Sequence, residues 1–434
     1  MMERLPTRVI VIGLQCDPAG GSERGVAWRW AEAYARSGLS VTILTHISQL
    51  KHVVAANGDL PVIGFEGATA SWTPTISANA RELARSTFEV AAWTRRVRQW
   101  LLASTSESDL VHHVTWGTVR YPSPARLIPA RSIWGPVGGG QIAPWRWAIP
   151  PDGDSYEVLR NMSVGFGRAL GRLRRTGGGV DLTLATNDET AAFARTIGCA
   201  DVRLELADGV TRALPRIEIT PGDTPLRLLW AGRMVASKRV DVAIRVVAEL
   251  RRRGVNARLT CAGDGPELGR ARQLAKSLGV LTSVEFPGWI HNTDMSQYYR
   301  RAHAFLFCSV RDSSFPAVLE AAAHGVPTVG VNHQGIGTFL PSSPTLVPMS
   351  STNQLTVSLA DAVGWVTSPK HRHALSIQAH DFAKQHTWDA KVRRMLRRLE
   401  TSTDRRRRIR SGSLDAPQAD SPAMPNCARW GGER

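Results

Sequence analysis

Two cations on one loop, Arg233 and Lys238, and two carboxylates further on, Asp312 and Glu320, are the side chains of this sequence best suited to binding chemistry. Asp312 opens the polar stretch Asp312-Ser313-Ser314, between an apolar run over residues 304–310 and an alanine-rich stretch over 317–324. The apolar run predicts a buried strand and the polar stretch a loop. Residues 317–324 have helical character, with Gly325 and Pro327 placed to stop them. Such a layout brings a carboxylate to a strand end and sets free backbone N–H groups at a helix start, where an anion is stabilised. With a helix beginning near Phe315, Glu320 faces the same cleft. Alone, the stretch is as readily an ordinary strand and helix with a solvated aspartate.

The neighbouring elements weigh against that bland reading. From residue 226 onward, strands and helices alternate: strand 226–231, loop 232–238, helix 240–253, strand 257–262, loop Gly263-Asp264-Gly265-Pro266, helix 267–278 and strands 284–286 and 304–310. An earlier series begins with strand 8–12 and the turn Asp17-Pro18-Ala19-Gly20-Gly21-Ser22-Glu23. Ser22 is a candidate N-cap for a helix with the stripe Val26, Trp30, Ala33 and Ser37, ended by Gly38, before strand 40–45. This is a βαβ unit with a glycine-rich first turn, so the expected fold class is α/β: two facing Rossmann-like doubly wound domains with an inter-domain cleft. The turn lacks the G-x-G-x-x-G spacing, which removes the main support for a nicotinamide or flavin cofactor. Gly20 and Gly21 suit either a close ligand approach or a plain tight turn.

Residues 109–114 predict a strand that sends His112 and His113 to opposite faces, so at most one reaches a cleft. A histidine pair with no third ligand makes no zinc site. Residues 134–140 form another strand-to-loop junction rich in glycine, and 181–186 another strand. Leu159, Met162, Phe166, Leu170 and Leu173 mark one face of a helix interspersed with Arg160, Arg168, Arg172, Arg174 and Arg175. It is read as core-facing with a solvated basic side, the alternative being a contact with anionic lipid. Residues 215–225 are the candidate linker, which sets an N-terminal domain at 1–215 and a C-terminal domain at 216–380. Residues 401–434 are expected to be a disordered basic tail.

At 434 residues the chain exceeds one core, and 43% hydrophobic with 21% charged residues is ordinary for a globular protein. No apolar run approaches the roughly 20 residues of a membrane span. Residue 1 leads into the first strand without a secretory pattern, and Cys16, Cys199, Cys261, Cys308 and Cys427 are scattered, which suits reduced thiols and a cytoplasmic location. The net charge of +17 gathers around residues 168–175 and 393–410. Nucleic acid, an anionic membrane surface or solvent would each satisfy it, but the arginines carry no interleaved aromatic platform, so nucleic acid is poorly supported.

Arg233, Lys238, Gly263, Gly265, Asp312 and Glu320 all fall at strand ends of the second half. Two cations, two glycine loops and a helix start make a site for a diphosphate without a metal ion. Glu320 can accept from the two hydroxyls of a ribose, and Asp312 can hold sugar hydroxyls or steady positive charge at an anomeric carbon. A nucleotide sugar fits all of these together, and no Ser/His or Cys/His pair competes with it.

At this point the sequence resembles glycosyltransferase family 4, retaining enzymes of the GT-B fold, over most of residues 5–400. Gly232-Arg233…Lys238 resembles that family's G-R-x-x-x-x-K clamp, Gly263-Asp264-Gly265-Pro266 its G-D-G-P loop, and Asp312…Glu320 its acid-x7-Glu signature. Gly20-Gly21-Ser22-Glu23 resembles its first glycine loop. Trp388 lies where its last helix crosses back to the first domain, here residues 381–400. The resemblance implies that Arg233 and Lys238 neutralise the donor diphosphate and that Glu320 binds the ribose. It places Gly21, Gly263, Gly265, Ser314, Phe315 and Pro316 at the donor, and Asp312 with His113 (or His112) at the reacting sugar.

Three departures from the family pattern stand out: Asp312 where Glu is usual, Ser313-Ser314-Phe315 in place of Gly-Phe-Gly, and Arg239 where Gly is frequent. The second gives its loop less freedom to adopt positive φ. The expected activity is transfer of a hexose from an NDP-sugar co-substrate to a saccharide or lipid-linked acceptor, with no other cofactor. The expected place is the cytoplasm or the inner face of the membrane. A nucleotide-sugar epimerase and a non-catalytic anion- or nucleic-acid-binding protein are the rivals.

Overall fold

The computed structural model of the chain describes residues 6, 8–21, 23–68, 80–148, 155–214, 225–340 and 343–410. Strands β1 (Arg8–Gly13), β2 (Ser40–His46), β3 (Val62–Phe65), β4 (Asp109–Thr115), β5 (Arg131–Val137), β6 (Leu182–Ala185) and β7 (Val202–Leu204) form one sheet, ordered β3-β2-β1-β4-β5-β6-β7. Strands β8 (Leu226–Ala231), β9 (Ala257–Ala262), β10 (Val284–Gly288), β11 (Ala304–Phe307), β12 (Thr328–Asn332) and β13 (Leu346–Pro348) form the other, ordered β10-β9-β8-β11-β12-β13. All of the pairings are parallel. Parallel strands require helical crossovers, which cover both sheet faces; hence β1 is almost wholly apolar and buried. In both sheets the strand order reverses direction beside the first strand, between β1 and β4 and between β8 and β11. The crevice of a doubly wound sheet opens at that switch point, at the carboxyl ends of the strands.

Two chain segments run side by side between the domains. Val210 and Trp388 exchange backbone bonds, Val210 N–H to the His386 carbonyl at 3.2 Å and Trp388 N–H to the Val210 carbonyl at 3.1 Å. The second segment continues as the helix Trp388–Arg410. Its Trp388, Val392, Met395 and Leu399 join the core of the first sheet. Glu205, just after β7, is buried and accepts from Arg394 at 2.7 and 2.9 Å and from Arg398 at 3.3 Å. Lys391, fully buried, donates to the carbonyls of Leu206, Ala207 and Asp208, with its Nζ 4.9 Å from the Trp30 ring centroid and 4.8 Å from that of Trp388. Burial pulls its amine down to about 8, against the attraction of Glu205 and Asp208. The last helix therefore pins the strand-to-linker corner through one ammonium and one carboxylate.

Several expectations are corrected. The helix Ser155–Arg174 turns its apolar stripe outward: Leu159 is 67%, Met162 62%, Phe166 72% and Leu173 81% exposed. Its inner face is held by the buried Val164 and half-buried Leu170, together with polar anchors and a small residue. Asn161 bonds both the N–H and the carbonyl of Ala143, Glu157 is buried in an ion pair with Arg311, and a side chain at Gly171 would collide with Ile197. The last helix runs on to Arg410, so residues 401–410 are helical, as arginine's helix propensity permits. Strand β11 ends at Phe307 rather than 310 because Ser309 and Val310 leave the sheet and bond the Ser237 carbonyl beside Lys238. The candidate N-cap Ser22, linker residues 215–224 and tail residues 411–434 lie outside the described residues. Among those described, Cys16, Cys199, Cys261 and Cys308 are free thiols, and no helix is long and apolar enough to cross a membrane.

Replacing Lys391 by Met keeps the aliphatic stem but leaves three buried carbonyls without their donor. We expect a loss of about 3 kcal/mol, read as a lower denaturant midpoint; an unchanged midpoint would remove the pin.

Candidate functional site

A cavity of about 620 Å³ opens at the paired switch points. The N-terminal domain contributes Gln15 and Gly21 from the loop after β1, Glu23 and Arg24 from the start of the helix Glu23–Arg36, and Trp116 just beyond β4. The C-terminal domain contributes Gly232, Arg233 and Lys238 after β8, and Ser309, Asp312, Phe315, Pro316 and Ala317 after β11. Here the sequence-nominated Arg233, Lys238, Asp312, Phe315, Pro316 and Gly21 do come together. A Cβ at Gly21 would stand 2.6 Å from Asn292 Nδ2 of the opposite domain, so a side chain there would have to turn that amide aside.

Lys238 Nζ and the Asp312 carboxylate form an ion pair across this wall, the two side chains 30% and 15% exposed. The pair keeps an ammonium and a carboxylate aimed at the same point with their charges neutralised. Pro316 occupies the first turn of the helix Pro316–Ala323, where its missing N–H costs nothing. Phe315 precedes it at φ +34° and Arg239 follows Lys238 at φ +51°. Both are positions where the sequence departs from glycine, and both nevertheless take the left-handed conformation, at a strain of order 1–3 kcal/mol each. Phe315 is compensated by burial of its ring against Phe307 and Phe339.

A second cavity of about 380 Å³ shares Gly21 and Pro316 with the first and holds Glu320, Tyr299, Asp208, Asn292 and His324. Tyr299 donates its hydroxyl to Glu320 Oε2 at 2.9 Å and stacks on His324, with ring centroids 5.1 Å apart. Crowding by protein, with Asp208 nearby, pushes the Glu320 carboxyl up despite that bond. Asp208 is itself raised by burial and by Asp312, and its backbone N–H donates to Ser314 Oγ at 3.0 Å. Glu320 and Asp312 thus lie in adjoining halves of one cleft, and Ser314 is turned back to the Asp208 backbone instead of lining either cavity.

Four more of the nominated residues sit elsewhere. His112 is buried between the Tyr34 hydroxyl (3.0 Å) and the Gly135 carbonyl (2.7 Å), and burial pulls it down to about 3. His113 is 5% exposed, its Nδ1 3.0 Å from Ser123 Oγ, and burial pulls it down to about 4. Neither histidine lines the cavity. Strand β4 is central and covered on both faces, so both rings enter the core, and Trp116 beyond its end is the first side chain to reach the opening. Gly263 and Gly265 also line neither cavity. At φ +138° and +151°, they let two loops touch: a Cβ would fall 2.0 Å from the Gly232 carbonyl oxygen and 2.5 Å from that of Met234. They brace the Arg233–Lys238 loop from behind.

Glu23 is the carboxylate that residue-type reasoning passed over, although the glycine turn that presents it was singled out. It opens to cleft water, accepts from the Gly117 N–H, and is pushed up to about 7 by the surrounding protein and by Asp208. A carboxyl poised near neutrality in a cleft is a functional-site signature.

Residues 225–365 match the family model described as glycosyl transferases group 1. Over 219 residues the chain is 29% identical to the colanic acid biosynthesis glycosyltransferase WcaL of Escherichia coli (strain K12), covering 47% of this chain and 54% of that protein. Over 231 residues it is 27% identical to a GDP-mannose-dependent alpha-(1-6)-phosphatidylinositol monomannoside mannosyltransferase of Mycolicibacterium smegmatis, covering 49% and 59%. The chain spans about half the length of these curated relatives. Among solved structures, TarM superposes with a TM-score of 0.61 at 8% identity, covering 90% of this chain and 98% of that one. The lipopolysaccharide outer core galactosyltransferase WaaB in its apo form superposes at 0.58 with 12% identity, covering 92% and 99%. At such identities the likeness is one of fold: two parallel α/β domains in the GT-B arrangement of those glycosyltransferases.

Proposed function

We propose that this chain is a glycosyltransferase that moves a hexose from a nucleoside-diphosphate sugar to an acceptor hydroxyl with retention of configuration, in cell-surface polysaccharide or glycolipid assembly. One observation carries the reading: Arg233, Lys238, Asp312 and the start of the helix Pro316–Ala323 converge on one wall of a cavity at the facing switch points. That is a diphosphate site with a carboxylate beside it. The relatives support the wider setting, one being named for colanic acid biosynthesis and another for transfer from GDP-mannose to a phosphatidylinositol mannoside.

In this account the donor diphosphate displaces Asp312 from Lys238 and takes up Arg233 as well. The bond between the anomeric carbon and the diphosphate oxygen breaks, its electron pair leaving with the diphosphate, whose charge the two cations hold. The acceptor oxygen bonds the same face of the anomeric carbon, and its proton passes to the departing phosphate oxygen. Asp312, freed from Lys238, steadies the positive charge at the sugar. Glu320 holds the ribose. The domains close over the donor and keep water from hydrolysing it. Arg233 and Lys238 supply the charge that a metal ion would otherwise bring. In this account the buried histidines of β4 take no part in these steps.

The outward stripe of the helix Ser155–Arg174 favours work at a membrane surface, at the cytoplasmic face. Arg168, Arg172, Arg174 and Arg175 accompany the exposed Leu159, Met162, Phe166 and Leu173, and the helix's single acid, Glu157, is buried in its ion pair. Apolar side chains that enter the acyl boundary beside arginines that meet anionic headgroups suit a lipid-linked acceptor.

Three outcomes are expected. Lys238→Ala lowers kcat/KM by about 100-fold or more with little change in melting temperature, since a partly exposed ion pair stabilises by only about 0–1 kcal/mol; near-normal turnover would contradict the clamp. Glu23 ionises as pH rises through about 7, and its negative charge then repels the diphosphate. Wild-type nucleotide affinity therefore weakens relative to Glu23→Gln between about pH 6 and 8; parallel profiles would place Glu23 away from the donor. Vesicles containing phosphatidylglycerol sediment the protein, and Phe166→Ser with Leu173→Ser abolishes most of that binding; equal sedimentation of wild type and variant would leave the helix out of it.

A further inference from the structure

The charged residues that face the donor are held from behind by the other domain. Each flanking residue of the clamp reaches away from the cavity and meets the same part of the N-terminal domain, residues 141–148 and Glu157. Arg239, next to Lys238, is 7% exposed and stacks its guanidinium on the Trp147 ring at 4.1 Å. It also donates to Asp241 through two nitrogens at 2.8 Å and to Thr352 Oγ1 at 3.1 Å. Trp147 belongs by sequence to the N-terminal domain but is 2% exposed within the core of the second sheet. Arg311, next to Asp312, grips Glu157 with bonds of 2.8 to 3.1 Å. Gln334 serves both sides with one amide: its Oε1 accepts from the Asp312 N–H at 3.0 Å, and its Nε2 donates to the Ile142 carbonyl at 2.8 Å.

Two of these bridging residues are strained. Arg239 and Gln334 sit at φ +51° and +53°, where a side chain other than glycine's is disfavoured. Such strain persists only where surroundings over-determine it. The contacts with Trp147 and Ile142 are what the strained residues obtain in return; Arg239 leads to the cleft through the adjoining Lys238, and Gln334 through its bond to the Asp312 N–H.

We propose that residues 141–148, with Glu157, are the positioning element of the donor site. Through Arg239, Arg311 and Gln334 they fix Lys238 and Asp312 where a diphosphate meets them, so the clamp is complete only while the domains are apposed. Trp147, Arg239, Arg311 and Gln334 touch no part of the cavity, so they act through Lys238 and Asp312. The element comes from the domain expected to bind the acceptor, which makes acceptor-side order a condition of donor-side order. This rests on the donor reading above for its catalytic meaning, but the coupling itself does not.

The test compares wild type with Gln334→Glu, Trp147→Ala, Trp147→Phe and Asp188→Ala. Gln334→Glu retains the acceptor for Asp312 and loses the donor to Ile142. Trp147→Phe retains a ring face for Arg239. Asp188→Ala deletes another bond between domains, from Thr338 Oγ1 to Asp188 at 2.9 Å, while Thr338 Oγ1 keeps its 3.1 Å bond to the Gln334 carbonyl. Amide exchange by mass spectrometry should rise in peptides covering residues 232–241 and 308–317 in Gln334→Glu and Trp147→Ala, recover in Trp147→Phe, and stay at the wild-type level in Asp188→Ala. An exchange increase confined to residues 141–148, or an equal increase in Asp188→Ala, overturns the proposal. The dissociation constant of whichever of UDP, GDP and ADP binds should rise about tenfold in the first two variants, with donor KM rising more than kcat falls. If none of the three binds wild type, the donor reading fails while the exchange result still decides the coupling.

Discussion

An ammonium and a carboxylate held face to face at the mouth of a cleft are the constraint from which the rest of this structure follows. Lys238 and Asp312 lie on loops from two neighbouring strands, and each loop must be stiff enough to keep its charge aimed and open enough to release it. The solution is support from behind. Gly263 and Gly265 let one loop lean on the next, and Ser309 and Val310 leave their strand to bond the carbonyl of Ser237. Phe315 and Arg239 accept left-handed backbone to complete the turn. A salt bridge this accessible stabilises the fold little; its use is preorganisation of charge for a ligand.

The second constraint is that two domains have to keep one geometry while remaining two domains. Covalent continuity alone allows wide motion. Here the chain crosses twice, along 205–210 and 386–391, and the crossings are tied by backbone bonds, by Glu205 with Arg394 and Arg398, and by Lys391 on three carbonyls. One of those carbonyls belongs to Asp208, whose carboxyl faces the cleft and whose backbone meets Ser314. The crossing and the site therefore share residues, which gives domain movement a direct route to the donor loops.

Much of this was legible in the sequence, and what was not has physical causes. The parallel α/β architecture followed from apolar runs alternating with helical stripes, and Arg233, Lys238, Asp312 and Glu320 reach the cleft because residues at strand ends must. The direction of the helix Ser155–Arg174 was misread because periodicity reports that a face is apolar but not which way it points. Asn161, Glu157 and Gly171 settled that through tertiary contacts that no local pattern records. His112 and His113 were placed one on each side of a strand, rightly by alternation, but a central strand has no side facing the cleft. Gln334 and Trp147 carried no signal, since their partners lie in the other domain. Glu23 did carry one, in the turn that precedes its helix, and its consequence emerged only with the protein that surrounds it.

The central claim, a diphosphate site built on Lys238, is tested most directly by thermal melting with UDP, GDP, ADP and their common sugar conjugates. A nucleotide at ~100 times its dissociation constant adds roughly 2.7 kcal/mol of stability. The account predicts that one base stands out and that its shift disappears when the Lys238 amine is removed. A panel in which no nucleotide shifts the melting temperature, or in which the shift survives without that amine, would contradict it.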